Sequence, residues 1–373
     1  MENISSTNER SEEPSPPVAR RGSRWANLGL ATVSAVFACL VMEVGYRIAT
    51  GVPVFKVVNW RTERVVESTL GERAIVDPTL GWILKSNNAT DDHTTLDHGI
   101  RQNFDEKTVR TGAVLAVGDS FTEGWEVDDS ESWPAYLEKL TEMPVVNGGV
   151  GGYGTDQIIL RTEQLLPIVR PKILIVGFLE FDIFRTGHSH FGAPKPYFTL
   201  ERGELKYHPA PPIEPQTQNT FLTQLRDVSR DILGYSAAAD HLLAALAPNY
   251  WYGGGQKQWT RVDTDAVRVT CKLLERLKKR ADGDGIRMLL FMQYYAHVVM
   301  AADQPPDHAR RVMACAAAAG IQVVDQYSSL RAMYTADRNA LRGYYMTYGD
   351  TYTHMNPAGN QLAAKLLADS LRK

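Results

Sequence analysis

Residues 113–125 read AVLAVGDSFTEGW, and the change of character at Gly118 decides the fold. Ala113 to Val117 are five apolar residues in a row, a run that fits a short strand buried on both faces. Gly118 permits a tight turn, and Asp119 and Ser120 follow where a helix would begin. A strand that ends this way leaves its next side chain at the C-terminal edge of a parallel sheet, the edge at which open α/β sheets bind ligands. The Ser120 hydroxyl therefore stands where a nucleophile should. Its context is GDS rather than the GxSxG elbow, which argues against a standard α/β-hydrolase.

The same alternation continues outward. Val145 to Val146, Ile173 to Phe178, Met288 to Met292 and Gln322 to Val324 read as further strands. Trp133 to Leu140, Thr155 to Leu166, Asp265 to Lys279, His308 to Ala319 and Pro357 to Leu371 read as amphipathic helices between and after them. Short apolar strands alternating with helices predict a three-layer α/β fold with a parallel sheet. Residues 186–264 interrupt the rhythm with GAPKPYF, PAPPIEP and NYWYGGG, and are expected to form a cap or one wall of a cleft. Residues 49–110, which include DPTLGWILKSNN, read as a lead-in subdomain ahead of the main domain at 111–373.

Before these lies a different kind of segment. Residues 1–24 are rich in Ser, Pro, Glu and Arg and predict a disordered tail. Trp25 to Met42, WANLGLATVSAVFACLVM, carries no charge, and a span over 25–48 approaches the thickness of a bilayer. Arg20, Arg21 and Arg24 precede it and Arg47 closely follows, which predicts a cytoplasmic N-terminus and an exported remainder. A cleaved signal peptide is the rival reading, but the run exceeds the usual apolar core and no small-x-small site follows it. Cys39 lies inside the run, where lipidation is disfavoured by the bulky Phe37.

Composition bounds the rest. With 44% hydrophobic and 22% charged residues among 373, a multi-span transporter is excluded. A net charge of −3 gives no field that would draw nucleic acid, so no nucleic-acid partner is expected. Three cysteines are too few and too scattered for a disulfide scaffold or a zinc site. Cys271 and Cys315 fall on two predicted helices, where a disulfide and a pair of free thiols are both open. His188 and His190 read as solvated loop residues, since neither an acidic cluster nor a third His accompanies them. Trp125, Trp133, Tyr197, Phe198, Trp251 and Tyr252 fit stacking on a sugar or acyl chain as well as they fit core packing.

Two further blocks complete a pattern. VVNGGVGGYGTDQ at 145–157 runs from a strand into a Gly-rich loop and a helix, so bare backbone N–H groups can approach a ligand oxygen. A phosphate loop is the rival, but the Lys-Ser/Thr pair is missing. DTYTHMNPAGN at 350–360 sets Asp350 and His354 in a loop before the last helix. The GDS at Gly118 to Ser120, the Gly-bearing block at Asn147 to Gly152, and His354 with Asn356 and Gly359 resemble the SGNH, or GDSL-type, serine hydrolases. The anchor followed by GYR, DPTLGW and VGDSFTEGW resembles a bacterial, membrane-anchored and periplasm-facing branch of them.

That resemblance implies a flavodoxin-like α/β/α sandwich, the SGNH hydrolase fold, behind one transmembrane helix in the bacterial inner membrane. It implies Ser120 as nucleophile, His354 as general base and then acid, and Asp350 as the group that orients His354. The Ser120 and Gly152 backbone N–H groups would bind the oxyanion, with no cofactor and no metal. The expected activity is hydrolysis of short acyl esters on a small molecule or glycan. An O-acyltransferase using the same acyl-serine is one alternative, and a catalytically degenerate glycan-binding or assembly protein is another. Two positions depart from the pattern. Phe181 in GFLEFDIFR stands before Asp182 where the family has an Asn oxyanion donor, for which Asn147 is a substitute candidate. Asp350 lies four residues before His354 rather than three, and Thr351 fills the usual place.

Overall fold

A computed structural model describes residues 22–55, 57, 60–61, 73–211, 221–251, 259–349 and 351–372. Most of the expected tail, Tyr252 and Asp350 lie outside the described residues. Helix α1 (Gly22–Thr50) is followed by a hairpin of β1 (Ala74–Asp77) and β2 (Gly81–Leu84). The main domain begins with β3 (Val114–Val117) and α2 (Ser120–Glu123), then α3 (Trp133–Thr141), β4 (Val145–Asn147), α4 (Thr155–Val169), β5 (Ile173–Leu179) and α5 (Glu180–Thr186). Within the insertion are β6 (His188–Phe191), the hairpin β7 (Tyr197–Glu201) and β8 (Glu204–His208), α6 (Phe221–Gly234) and α7 (Ala237–Leu246). The chain returns through α8 (Ala266–Gly283), β9 (Arg287–Gln293), α9 (Asp307–Ala318), β10 (Gln322–Asp325), the hairpin β11 (Tyr345–Tyr348) and β12 (Thr351–Met355), and α10 (Pro357–Leu371).

The central sheet is parallel throughout, in the order β10-β9-β5-β3-β4. Counted along the chain and read from the other edge this is 2-1-3-4-5, the flavodoxin-like order, with its switch point between β3 and β5. The sequences explain the burial. VLAV in β3 is buried at every position, and in ILIVGFL of β5 and RMLLFMQ of β9 all but the first residue is buried, as a sheet covered on both faces requires. Helices α3 and α10 pack on each other to one side, with Trp133 edge-on to Phe291 of β9, while α4, α8 and α9 form the other layer. Each fully buried Leu, Ile or Val contributes about 1.5–3 kcal/mol of hydrophobic stabilisation, so this double-sided packing dominates the domain's stability.

Two sequence readings are refined. The insertion was expected to form a cap or one wall of a cleft; its β7–β8 hairpin packs on α8 and α4, and α7 packs on α1. Phe191 of β6 reaches the sheet edge, 6.0 Å from Phe181. Cys271 and Cys315 form a disulfide that ties α8 to α9, with a Cα separation of 5.8 Å. Facing each other across one helix layer, the two side chains meet at a bridgeable distance that sequence alone left open.

Candidate active site

Ser120 begins α2 at the C-terminal end of β3, beside the switch point. The turn is tight: a Cβ at Gly118 would come within 2.0 Å of Thr122 Oγ1 and 2.7 Å of the Gly177 carbonyl on β5, so no larger residue fits. Asp119 caps the helix, its carboxylate accepting from the Phe121 N–H at 2.9 Å. The Ser120 Oγ lies 3.0 Å from Nε2 of His354 and 3.4 Å from Asp119 Oδ2.

His354 sits on β12 rather than in a loop, because Tyr345 pairs with Met355 and draws the segment into a hairpin. Its Nδ1 is 2.8 Å from Oε2 of Glu126. That carboxylate also accepts from Thr353 Oγ1 and Tyr348 Oη, each at 2.9 Å. The acid facing His354 is thus Glu126, six residues after Ser120, in the position that the sequence reading gave to Asp350. The physical reason lies in the backbone. Gly124 (φ 84°) and Glu126 (φ 69°) take left-handed conformations that turn the chain back beneath the imidazole. Hydrogen bonding to His354, with the Thr353 and Tyr348 hydroxyls, holds the Glu126 carboxyl down at about 2 despite its partial burial.

Arg101, from the lead-in segment, is nearly fully buried and fixes this turn. Its guanidinium donates to the carbonyls of Glu123 at 2.7 Å, Val127 at 2.7 Å and Gly124, and to Asp129 Oδ1 at 3.2 Å. Glu123, wholly buried, accepts from the Gly151 N–H at 2.6 Å and lies 3.0 Å from His93 Nε2, so it ties the Gly-rich loop to α2. Trp82 Nε1 donates to the Gly151 carbonyl at 2.9 Å from the other side. Residues 82–101 therefore build the floor of the site, which their sequence did not announce.

Gly152 takes φ 78° in that loop and is partly exposed, and its N–H has no acceptor among the described residues. Asn147, offered as a substitute oxyanion donor, is fully buried. Its amide nitrogen reaches the Glu123 carbonyl at 3.3 Å and its oxygen accepts from the Gly149 N–H at 3.1 Å, so it braces the loop instead. Phe181 stacks on Phe184 at 5.0 Å, with the Arg185 guanidinium 5.2 Å from its ring centre. Arg185 is buried between Asp182 Oδ1 at 2.6 Å and Asp119 Oδ2 at 2.9 Å. Burial, and next the Asp119 charge, push the Asp182 carboxyl well up, while Arg185 opposes both. This Asp-Arg-Asp group joins α5 to the cap of α2 beside Ser120. Phe121 and Trp125 flank the imidazole at 5.3 and 6.4 Å, and Trp125 is partly exposed.

His188 and His190, read from sequence as solvated loop residues, instead lie on β6, where pairing with neighbouring strands draws them in: His188 is buried with its Nδ1 2.8 Å from the Phe184 carbonyl, and His190 Nδ1 is 3.3 Å from Ser189 Oγ.

No family model and no curated protein matches the sequence. Solved structures similar to it include an acetylxylan esterase of Geobacillus stearothermophilus, in a catalytic mutant, at 12% identity over 70% of this chain and 95% of that one, with a TM-score of 0.41. An acetyl xylan esterase, AlAXEase, is 10% identical over 69% and 98%, with a TM-score of 0.39. A protein of Desulfitobacterium hafniense described as lipolytic and of the G-D-S-L family is 13% identical over 69% and 99%, with a TM-score of 0.37.

Proposed function

We propose that this chain is a serine esterase of the SGNH type that removes short acyl groups, such as acetyl, from a carbohydrate. The observation that carries the reading is the pair of contacts made by His354, Nε2 to Ser120 Oγ at 3.0 Å and Nδ1 to Glu126 at 2.8 Å. A serine hydroxyl is scarcely ionised at neutral pH, so a base within hydrogen-bond reach must take its proton as the new C–O bond forms. Glu126 fixes the imidazole with its proton on Nδ1 and stabilises the cation formed in the step. The Ser120 and Gly152 N–H groups receive the carbonyl oxygen as it gains charge, and the leaving alkoxide takes the proton back from Nε2. Water, deprotonated in turn by His354, releases the acid. A partly exposed Trp125 beside the imidazole suits the apolar face of a sugar ring.

Helix α1 supports an anchored protein. The most apolar 18 residues within Ala26–Thr50 have a mean hydropathy of 1.9 and are wholly exposed, as befits a segment that crosses a membrane. With arginines ahead of it, the folded domain lies on the periplasmic side, where the Cys271–Cys315 disulfide is also at home.

The test is a fluorophosphonate probe on the full chain in detergent, read by intact-protein mass spectrometry. One adduct at Ser120, lost in both Ser120→Ala and His354→Ala, is expected. A folded wild-type protein that takes no label would overturn the catalytic reading and favour the binding-protein alternative.

A further inference from the structure

We propose that α6 and α7 of the insertion lie in the interfacial layer of the same bilayer that α1 crosses, so that the chain meets the membrane at two places. The inference rests on α1 being a span. From Trp25 to Glu43 an α-helix rises about 27 Å, close to the ~30 Å of hydrocarbon, and Glu43 is the first charge in that direction. Glu43 and its partner Arg47, 2.5 Å apart, therefore mark the level at which α1 leaves the lipid tails.

The junction of α6 and α7 is fastened at that level. Glu43 accepts from Ser236 Oγ at 2.6 Å, Ala237 N at 2.9 Å and Ala238 N at 3.0 Å, which caps α7, while Arg47 donates to the Tyr235 carbonyl at 3.3 Å. Tyr46 and His241 bring their rings within 5.7 Å. Outward from this junction, Leu225, Val228, Ile232 and Tyr235 are half or more exposed and fall at i, i+3, i+7 and i+10, one stripe along and just beyond α6. Arg230, on the far side of the helix, is buried under the ring of Tyr250. Leu242 and Leu246 continue the apolar surface on α7. A stripe of this kind, held where a span exits, is the arrangement of a helix lying in the plane of the interface. Attachment of this junction to Glu43 and Arg47, at the foot of an α1 whose apolar side chains are exposed, selects lipid over a second protein as the occupant.

The full chain in phosphatidylcholine–phosphatidylglycerol vesicles tests this. An environment-sensitive fluorophore is attached to native Cys39 in one sample. In the Cys39→Ser background it is attached to Val228→Cys, Leu242→Cys or, as a solvent reference on α8, Lys279→Cys. Vesicles with and without lipid nitroxide-labelled near the headgroup are compared. Labels at 228 and 242 are expected to be blue-shifted and quenched at least threefold more than the label at 279. Quenching at Cys39 with none at 228 and 242 overturns the proposal and leaves the span intact. A blue shift at 228 without quenching means that protein covers the stripe, and also overturns it. An unquenched Cys39 overturns the span and this inference with it, without touching the esterase reading.

Discussion

Among the described residues, the carboxylate that faces His354 is that of Glu126, which motif spacing does not select. Ser120 and His354 were legible because each is marked by its neighbours, the buried strand before one and the N-P-x-G helix start after the other. Glu126 carries no such mark. Its direction follows from a left-handed backbone at its own position, which pattern alone does not reveal for a non-glycine residue. Replacing it tests the assignment: Glu126→Gln keeps the shape but removes the charge, and kcat is expected to fall by about 10²–10⁴. Because its folded value is depressed to about 2 from 4.5, the carboxylate's contribution is whole above about pH 4.5 and is lost as pH falls through about 2. The wild-type rate of fluorophosphonate labelling should therefore show no inflection between pH 3 and 5. One that vanished in Glu126→Gln would mean that the His354 contact is not made in solution.

At the scale of elements, the sheet and its helices followed from the alternation of apolar runs, and the 2-1-3-4-5 order agrees with the fold that the GDS block implied. The floor of the site did not follow, because it is assembled by contacts between segments far apart in sequence: Arg101 to Glu123, Gly124 and Val127, and Trp82 to Gly151. Nothing in the composition of 82–101 marks it as part of a candidate site. Residues 186–264 were legible only as a cap or one wall of a cleft for a related reason, since Pro- and aromatic-rich stretches signal irregular packing without saying on what. Arg101 offers the test at this scale. Lysine carries one point charge in place of a fork of donors, so Arg101→Lys cannot reach all of these carbonyls at once, and that of Val127 has no other donor among the described residues. Each buried carbonyl so stranded costs about 1–3 kcal/mol. The variant is expected to melt earlier and to lose about tenfold or more in kcat through misplaced Glu126, an effect of the size that small displacements in a site produce. An unchanged kcat in a destabilised protein would separate Arg101 from the positioning of Glu126.

Across the whole molecule, stability and siting are handled by different devices. The sheet is built around β5 and β9, and the helix layer that covers them on one side is closed by Cys271–Cys315 between α8 and α9. The bond joins residues 44 apart, a loop for which chain entropy alone gives about 4 kcal/mol. None of the site residues lies in that loop, since Ser120, Glu126 and the Gly-rich loop precede it and His354 follows it. Breaking it should therefore separate stability from chemistry. In Cys271→Ser/Cys315→Ser, or in wild type with reductant, calorimetry is expected to show a melting temperature lower by about 8–15 °C for a domain of this size. The rate of Ser120 labelling at 25 °C should stay within about twofold of wild type, as distant sites combine nearly additively. Loss of labelling in step with the disulfide, at a temperature where the sheet is still folded, would mean that α8 and α9 hold the catalytic edge in place as well as covering the core.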